Sequence, residues 1–156
     1  MLIDTKPASD ITDLIGATPV LELCKITWPG MSSIFAKLES FNPGGSVKDR
    51  IALNMIEDAE KKGFLHPGGT IIEPTGGNTG IGLAMVGAHK GYEVVLVMPE
   101  SIGFEKKSIL ESLGAKLEFT ESDLGMQGAI EKAKAIASDH PNYYMPQQFS
   151  NPANPE

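Results

Sequence analysis

Two short stretches of this chain hold residue types and spacings that could do chemistry. The first is Asn42-Pro43-Gly44-Gly45-Ser46-Val47-Lys48-Asp49-Arg50, where a lysine follows a glycine pair at the predicted start of a helix. The second is Glu73-Pro74-Thr75-Gly76-Gly77-Asn78-Thr79-Gly80, a glycine-rich turn after a short apolar strand. The first loop can present an amine at the positive end of a helix, a position that favours its neutral, nucleophilic form. The second can present backbone N–H groups to an anion. A Schiff-base-forming amine beside a carboxylate cradle is what amino-acid chemistry on a carbonyl cofactor requires.

Each stretch also fits a plainer arrangement. Lys48 could be an exposed lysine whose side chain reaches water. Thr75 to Gly80 could be a tight strand-to-helix turn with an Asx or Thr cap, although α/β sheets bind ligands at such turns. The turn fits neither nucleotide fingerprint. Gly80 and Gly82 have the dinucleotide spacing, but Met85 takes the third position, and no Gly-Lys-Ser/Thr follows. A third stretch, Gln147-Gln148-Phe149-Ser150-Asn151-Pro152, follows the last predicted strand and could line a site or form an ordinary polar loop.

The elements that must position these residues can be read from periodicity and punctuation. From residue 70 the chain alternates strand and helix. Strands are predicted at 70–73, 93–98, 116–120 and 143–145, and helices at 79–90, 104–113 and 126–138. Gly91, Pro99 and Gly114 act as stops. Small and apolar residues on nearly every face of 79–90 predict a buried helix. Glu93 to Met98 is the continuous apolar run of a central parallel strand. Before residue 70, Val47 to Lys62 is the clearest helix, with Val47, Ile51, Ala52, Met55, Ile56 and Ala59 on one stripe. Ser46 is its expected N-cap, Asp49 lies in its first turn, and Gly63 ends it. Ile34 to Glu39 is a predicted strand, and Gly16-Ala17-Thr18-Pro19 is a turn leading into an extended segment, 18–23. The pattern predicts an α/β fold: a doubly wound parallel sheet of about four strands with right-handed crossovers.

Bulk properties narrow the function. The 156 residues suffice for one domain with a core, and 41% hydrophobic with 21% charged residues is ordinary for a globular chain. The net charge of −7 leaves no basic face for nucleic acid. No apolar run reaches the roughly 20 residues that span a bilayer, and Met1 to Lys6 lacks a signal-peptide pattern. Cys24 is the single cysteine, so no internal disulfide forms, and a cytoplasmic location is the simplest inference. His66, His89 and His140 are scattered without metal-site spacing.

The motifs, in their order, resemble cysteine synthase (O-acetylserine sulfhydrylase), of the fold-type II pyridoxal phosphate enzymes. The resemblance rests on the stretches 42–50, 73–82 and 147–155, with Gly16-Ala17-Thr18-Pro19 matching the family's N-terminal segment. It implies that Lys48 carries pyridoxal phosphate as a Schiff base. Asn78 would contact the cofactor's 3′ oxygen and the substrate. Thr75, Gly76, Asn78 and Thr79 would bind the substrate α-carboxylate, completed by Gln148. The implied reaction is β-replacement of O-acetylserine by sulfide, giving L-cysteine and acetate, with Lys48 as general base. Many members have serine where this chain has Gly76. Members are also longer, so the resemblance implies an N-terminal half: residues 1–40 as part of an incomplete large domain, and 41–156 as a small α/β domain. The remaining half would hold the loop for the cofactor phosphate, so the isolated chain is expected to be weakly active or inactive. Implied partners are a second copy or a complementing half, and the C-terminal tail of a serine acetyltransferase. Related readings are a cystathionine β-synthase or an O-phosphoserine-using enzyme. From another class comes a non-catalytic domain that binds a partner chain or an amino acid.

Overall fold

The computed structural model describes residues 7–154. The Met1 to Lys6 segment and the terminal Pro155-Glu156 lie outside the described residues. Four strands form one parallel sheet. They are β3 (Thr70–Pro74), β4 (Glu93–Pro99), β5 (Lys116–Thr120) and β6 (Tyr143–Tyr144). β3 and β4 are buried over almost their whole length, as their unbroken apolar runs require. The helices are α1 (Lys48–Lys62), α2 (Asn78–Lys90), α3 (Phe104–Ser112) and α4 (Gly125–Asp139).

The pleat sends alternate strand residues to two cores. Ile71, Leu96 and Met98 pack with Met55 and Ile56 of α1, Leu83 of α2 and Leu110 of α3. Ile72, Val95 and Val97 face the other way, onto Ala129 and Ala133 of α4. The sheet therefore has helices on both faces, the doubly wound arrangement expected. The chain steps β3→β4→β5 in one direction and then returns to place β6 on the other side of β3. That reversal makes a topological switch point at the carboxyl ends of β3 and β6.

Several boundaries differ from expectation. α2 starts at Asn78, one residue early, which puts Asn78 in its first turn. α1 starts at Lys48, and Val47 occupies the N-cap position without a side-chain cap bond. Ser46 still contributes, because its Oγ accepts the Lys48 N–H at 3.1 Å. Pro99 ends β4 from inside the strand. The predicted 34–39 strand shortens to β2 (Phe35–Lys37) and pairs antiparallel with β1 (Val20–Glu22), matching Val20 to Lys37 and Glu22 to Phe35. This ribbon stands apart from the main sheet, with Val20, Leu21 and Phe35 each more than half exposed.

Candidate active site

The glycine-rich turn and the glutamine loop meet at the switch point. β3 ends at Pro74, and Thr75 is held to the neighbouring strand by its N–H, which donates to the Val97 carbonyl at 3.0 Å. The Gly76 and Gly77 links then turn the chain into α2. The Asx or Thr cap of the plainer arrangement is absent: Gly77 is the N-cap, and no side chain caps the helix. Thr75 Oγ1 instead accepts the Gly77 N–H at 3.3 Å, inside the turn. Thr75 and Thr79 are buried, and Asn78 between them is exposed. The helix thus begins with free N–H groups and two ordered hydroxyls, a setting that favours an anion.

Gln148 completes this cluster. The Thr79 hydroxyl donates to Gln148 Oε1 at 2.6 Å, across 69 residues of sequence. Glu73, 1% exposed, holds the same loop from below. Its two carboxylate oxygens accept the Gln147 N–H at 2.8 Å and the Gln148 N–H at 2.9 Å. Gln147 adopts a left-handed conformation, φ 55°, which presents these successive N–H groups to one carboxylate. Burial pushes the Glu73 pKa up, and the two N–H donors work against that shift. A cavity of about 380 Å³ opens here, lined by Thr75, Gly76, Gly77 and Gln148 on one side and by Ile102 and Phe149 among its apolar walls.

Lys48 comes close through a different contact. A Cβ built on Gly82 would stand 3.0 Å from the Lys48 carbonyl oxygen and 3.3 Å from the Asp49 Cα. The second glycine of the apparent nucleotide spacing therefore lets α2 lie against the first turn of α1. This sets the Lys48 backbone one helical turn beyond Asn78. Lys48 is half-buried, its amine has no hydrogen-bond or ion-pair partner among the described residues, and the residue does not line the 380 Å³ cavity. Thr75, Gly76, Thr79 and Gln148 are brought together, Asn78 sits at their edge, and Lys48 approaches through the helix contact.

The glycine pair before Lys48 has its own reason. Asp49 is fully buried and turns back so that Oδ2 accepts the Gly44 N–H at 2.6 Å, with a Cβ on Gly44 overlapping that carboxylate. Asp49 was expected to serve the helix dipole, and it serves the loop instead. Its Oδ1 has no partner among the described residues, and burial pushes its pKa up. The N-terminal turn is stapled to the same loop. Asn42 Oδ1 accepts the Gly16 N–H at 2.8 Å. Arg50 donates to both carboxylate oxygens of Glu39 at 2.8 and 3.0 Å, and the Thr18 hydroxyl donates to Glu39 at 2.6 Å. The Arg50 guanidinium and that hydroxyl hold the Glu39 pKa down at about 2.

The contacts made by Glu73, Asp49 and Ile102 were not read from the sequence. An acid closing an otherwise apolar central strand, as in Ile71-Ile72-Glu73, was the available signal for the first of them.

A parallel sheet with a lysine-bearing helix and an N–H-rich turn at its switch point defines a class of cofactor-dependent α/β enzymes. The chain belongs to the pyridoxal-phosphate dependent enzyme family, whose pattern matches residues 11–156. It is 53% identical over 151 residues to the cysteine synthase of Staphylococcus aureus, covering 97% of this chain and 48% of that protein. Among solved structures it is similar to the cysteine synthase of Entamoeba histolytica, with TM-score 0.92 and 41% identity over 97% of this chain and 46% of that one. It is also similar to O-ureido-L-serine synthase, with TM-score 0.91 and 44% identity over 96% and 47%. The chain spans about half the length of the curated relatives it matches.

The residues present fit the family's cofactor: a primary amine without a partner among the described residues lies in the first turn of α1, which packs against the helix that the N–H-rich turn opens. No helix among the described residues is long and apolar enough to cross a membrane.

Proposed function

We propose that this chain carries the lysine and the carboxylate-binding part of a cysteine synthase site, which replaces the acetate of O-acetylserine with sulfide to give L-cysteine. The Thr79–Gln148 hydrogen bond carries this reading. It ties the N–H-rich turn and the glutamine loop into one polar cluster at the switch point, where a carboxylate would be met from two sides. The relatives at 53% and 41% identity, both cysteine synthases, support the choice of reaction.

In this proposal the N–H groups of Gly76, Asn78 and Thr79, with the Thr75 hydroxyl, bind the α-carboxylate, and the Gln148 amide closes over it. Asn78, exposed at the turn, contacts both cofactor and substrate. The Lys48 amine holds the cofactor, then removes the α-proton at Nζ as general base. Bound pyridoxal phosphate supplies an electron sink for the α-carbon. The buried threonines and the apolar side of the cavity keep water from the reacting atoms.

Residues 41–156 form the small domain in this reading, and residues 1–40 belong with a larger one. The exposed apolar ribbon of Val20, Leu21 and Phe35 supports that division, because it needs a cover. A second copy or a complementing half would provide one. The carboxylate turn would also accept the C-terminal tail of a serine acetyltransferase.

The test is the visible absorption of the purified protein with added pyridoxal phosphate, against Lys48→Ala. A Lys48-dependent band that shifts with O-acetylserine supports the proposal, and a band that survives Lys48→Ala refutes the lysine's role. A second reading follows from Gly76 and the open cavity beside it: a nucleophile larger than sulfide, as in a cystathionine β-synthase. Comparing product formation from sulfide and from homocysteine separates the two.

A further inference from the structure

Gly76 is buried on the floor of the cavity, and Ile102 occupies the space that its side chain would use. A Cβ built on Gly76 would overlap Ile102 Cδ1, would lie 2.8 Å from Ile102 Cγ1 and would touch Met98 Cβ at 3.5 Å. Rotation about the outer bond moves Cδ1 alone. Clearing Cγ1 requires a change at χ1, which is stiff in a β-branched side chain. Ile102 is also anchored. Its N–H donates to the Pro99 carbonyl at 3.2 Å, closing the turn after β4, and its side chain packs on the larger core. The turn that carries residue 76 and the turn after β4 therefore fit together only when residue 76 has no side chain.

We propose that Ile102 is a positioning residue of this site: it takes the place of a side chain at residue 76 and leaves the substrate carboxylate to backbone N–H groups. This inference rests on the carboxylate-binding role proposed above for residues 75–79.

The test is a four-protein cycle of the unmodified chain, Gly76→Ser, Ile102→Ala and the double variant. Each is ¹⁵N-labelled and titrated with O-acetyl-L-serine, following the backbone amide shifts of residues 76–79. Thermal midpoints are measured without ligand. Overpacking in Gly76→Ser should weaken O-acetylserine binding roughly tenfold and lower the midpoint. In the Ile102→Ala background the same change should leave binding equal or tighter. Where Gly76→Ser fails to fold, Gly76→Ala carries the Cβ alone and takes its place. Additive effects on binding overturn the assignment of Ile102, as does coupling seen only in the midpoints. Failure of all four proteins to bind O-acetyl-L-serine overturns the carboxylate reading along with this one.

Discussion

Glu73 and Gln148 are joined at the point where the sheet changes direction, by a 2.9 Å hydrogen bond from the Gln148 backbone N–H to a carboxylate that is 1% exposed. The other carboxylate oxygen takes the Gln147 N–H, so one buried acid at the end of β3 fixes two successive peptides of a loop 74 residues away. Such an acid costs solvation and is retained only when its lone pairs are used. Both donors are N–H groups, so the acceptor must present two oxygens. Glu73→Gln keeps the shape but turns an amide NH₂ toward one of those N–H groups. We expect a loss of about 1–3 kcal/mol, from one buried donor left unsatisfied. Urea unfolding measures it. The Gln147 and Gln148 amide resonances should shift, while those of β4 stay in place. Unchanged loop resonances would mean that Gln148 is positioned without Glu73.

Thr79 and Gln148 should behave as a unit. Thr79→Val removes the donor and leaves Gln148 Oε1 buried without a partner, a cost of about 1–3 kcal/mol. Gln148→Leu removes the other partner. If the 2.6 Å bond carries the coupling, the double variant will be more stable than the sum of the single losses indicates. Additivity within about 0.5 kcal/mol would show that the two side chains act independently.

Glu39 makes the N-terminal staple sensitive to acid. Its folded-state pKa is about 2, below the ordinary value of 4.5, with Arg50 as the leading cause and Thr18 next. For a depressed carboxylate the stabilising contribution is complete above the unfolded value and is lost as pH falls through the folded one. The staple should therefore be intact above about pH 4.5 and weaken toward about pH 2. Unfolding midpoints measured across that window for the unmodified chain and for Glu39→Gln give a difference that isolates this group from the other carboxylates. The difference should shrink as the pH falls. A constant difference would show that the Arg50–Glu39 pair adds nothing that depends on charge.

The sheet and its helices were legible because their signals are local. Val94 to Met98 is apolar without a break, Gly63 and Gly91 adopt the left-handed conformation that ends α1 and α2, and the small residues of 79–87 declare a buried helix. Thr75, Gly76 and Thr79 were legible as site candidates because they follow a strand end and open a helix, whereas Gln148 was singled out only through the family resemblance. What escaped was every relationship that depends on closure of the fold. Glu73 reaches across 74 residues to Gln147, and Ile102 fills the room above Gly76 from the turn after β4. Asp49 turns back onto Gly44 because burial offers it that N–H and little else. The pairing of β1 with β2 was hidden as well: three-residue strands with exposed apolar side chains show no alternation to read.

Gly82 gives the clearest test of how the lysine is placed. Two effects of Gly82→Ala oppose each other. Replacing glycine inside a helix gains about 1 kcal/mol of helix propensity. Against this, the new Cβ would meet the Ala52 Cβ at 2.9 Å, the Lys48 carbonyl oxygen at 3.0 Å and the Asp49 Cα at 3.3 Å. Two of these three are backbone atoms of α1, which cannot rotate away, so α1 and α2 must separate. Overpacking of this kind costs about 1–3 kcal/mol. The steric term should therefore equal or exceed the propensity gain, and Gly82→Val, with a larger and β-branched side chain, should lose clearly more. The functional consequence should be larger than the stability change suggests, because separating the helices moves Lys48 away from the Thr75–Thr79 turn. Urea unfolding reports the first effect, and the Lys48-dependent absorption with pyridoxal phosphate reports the second. If Gly82→Val retained both the stability and the band of the unmodified chain, the close approach of α1 and α2 would not be what places the lysine.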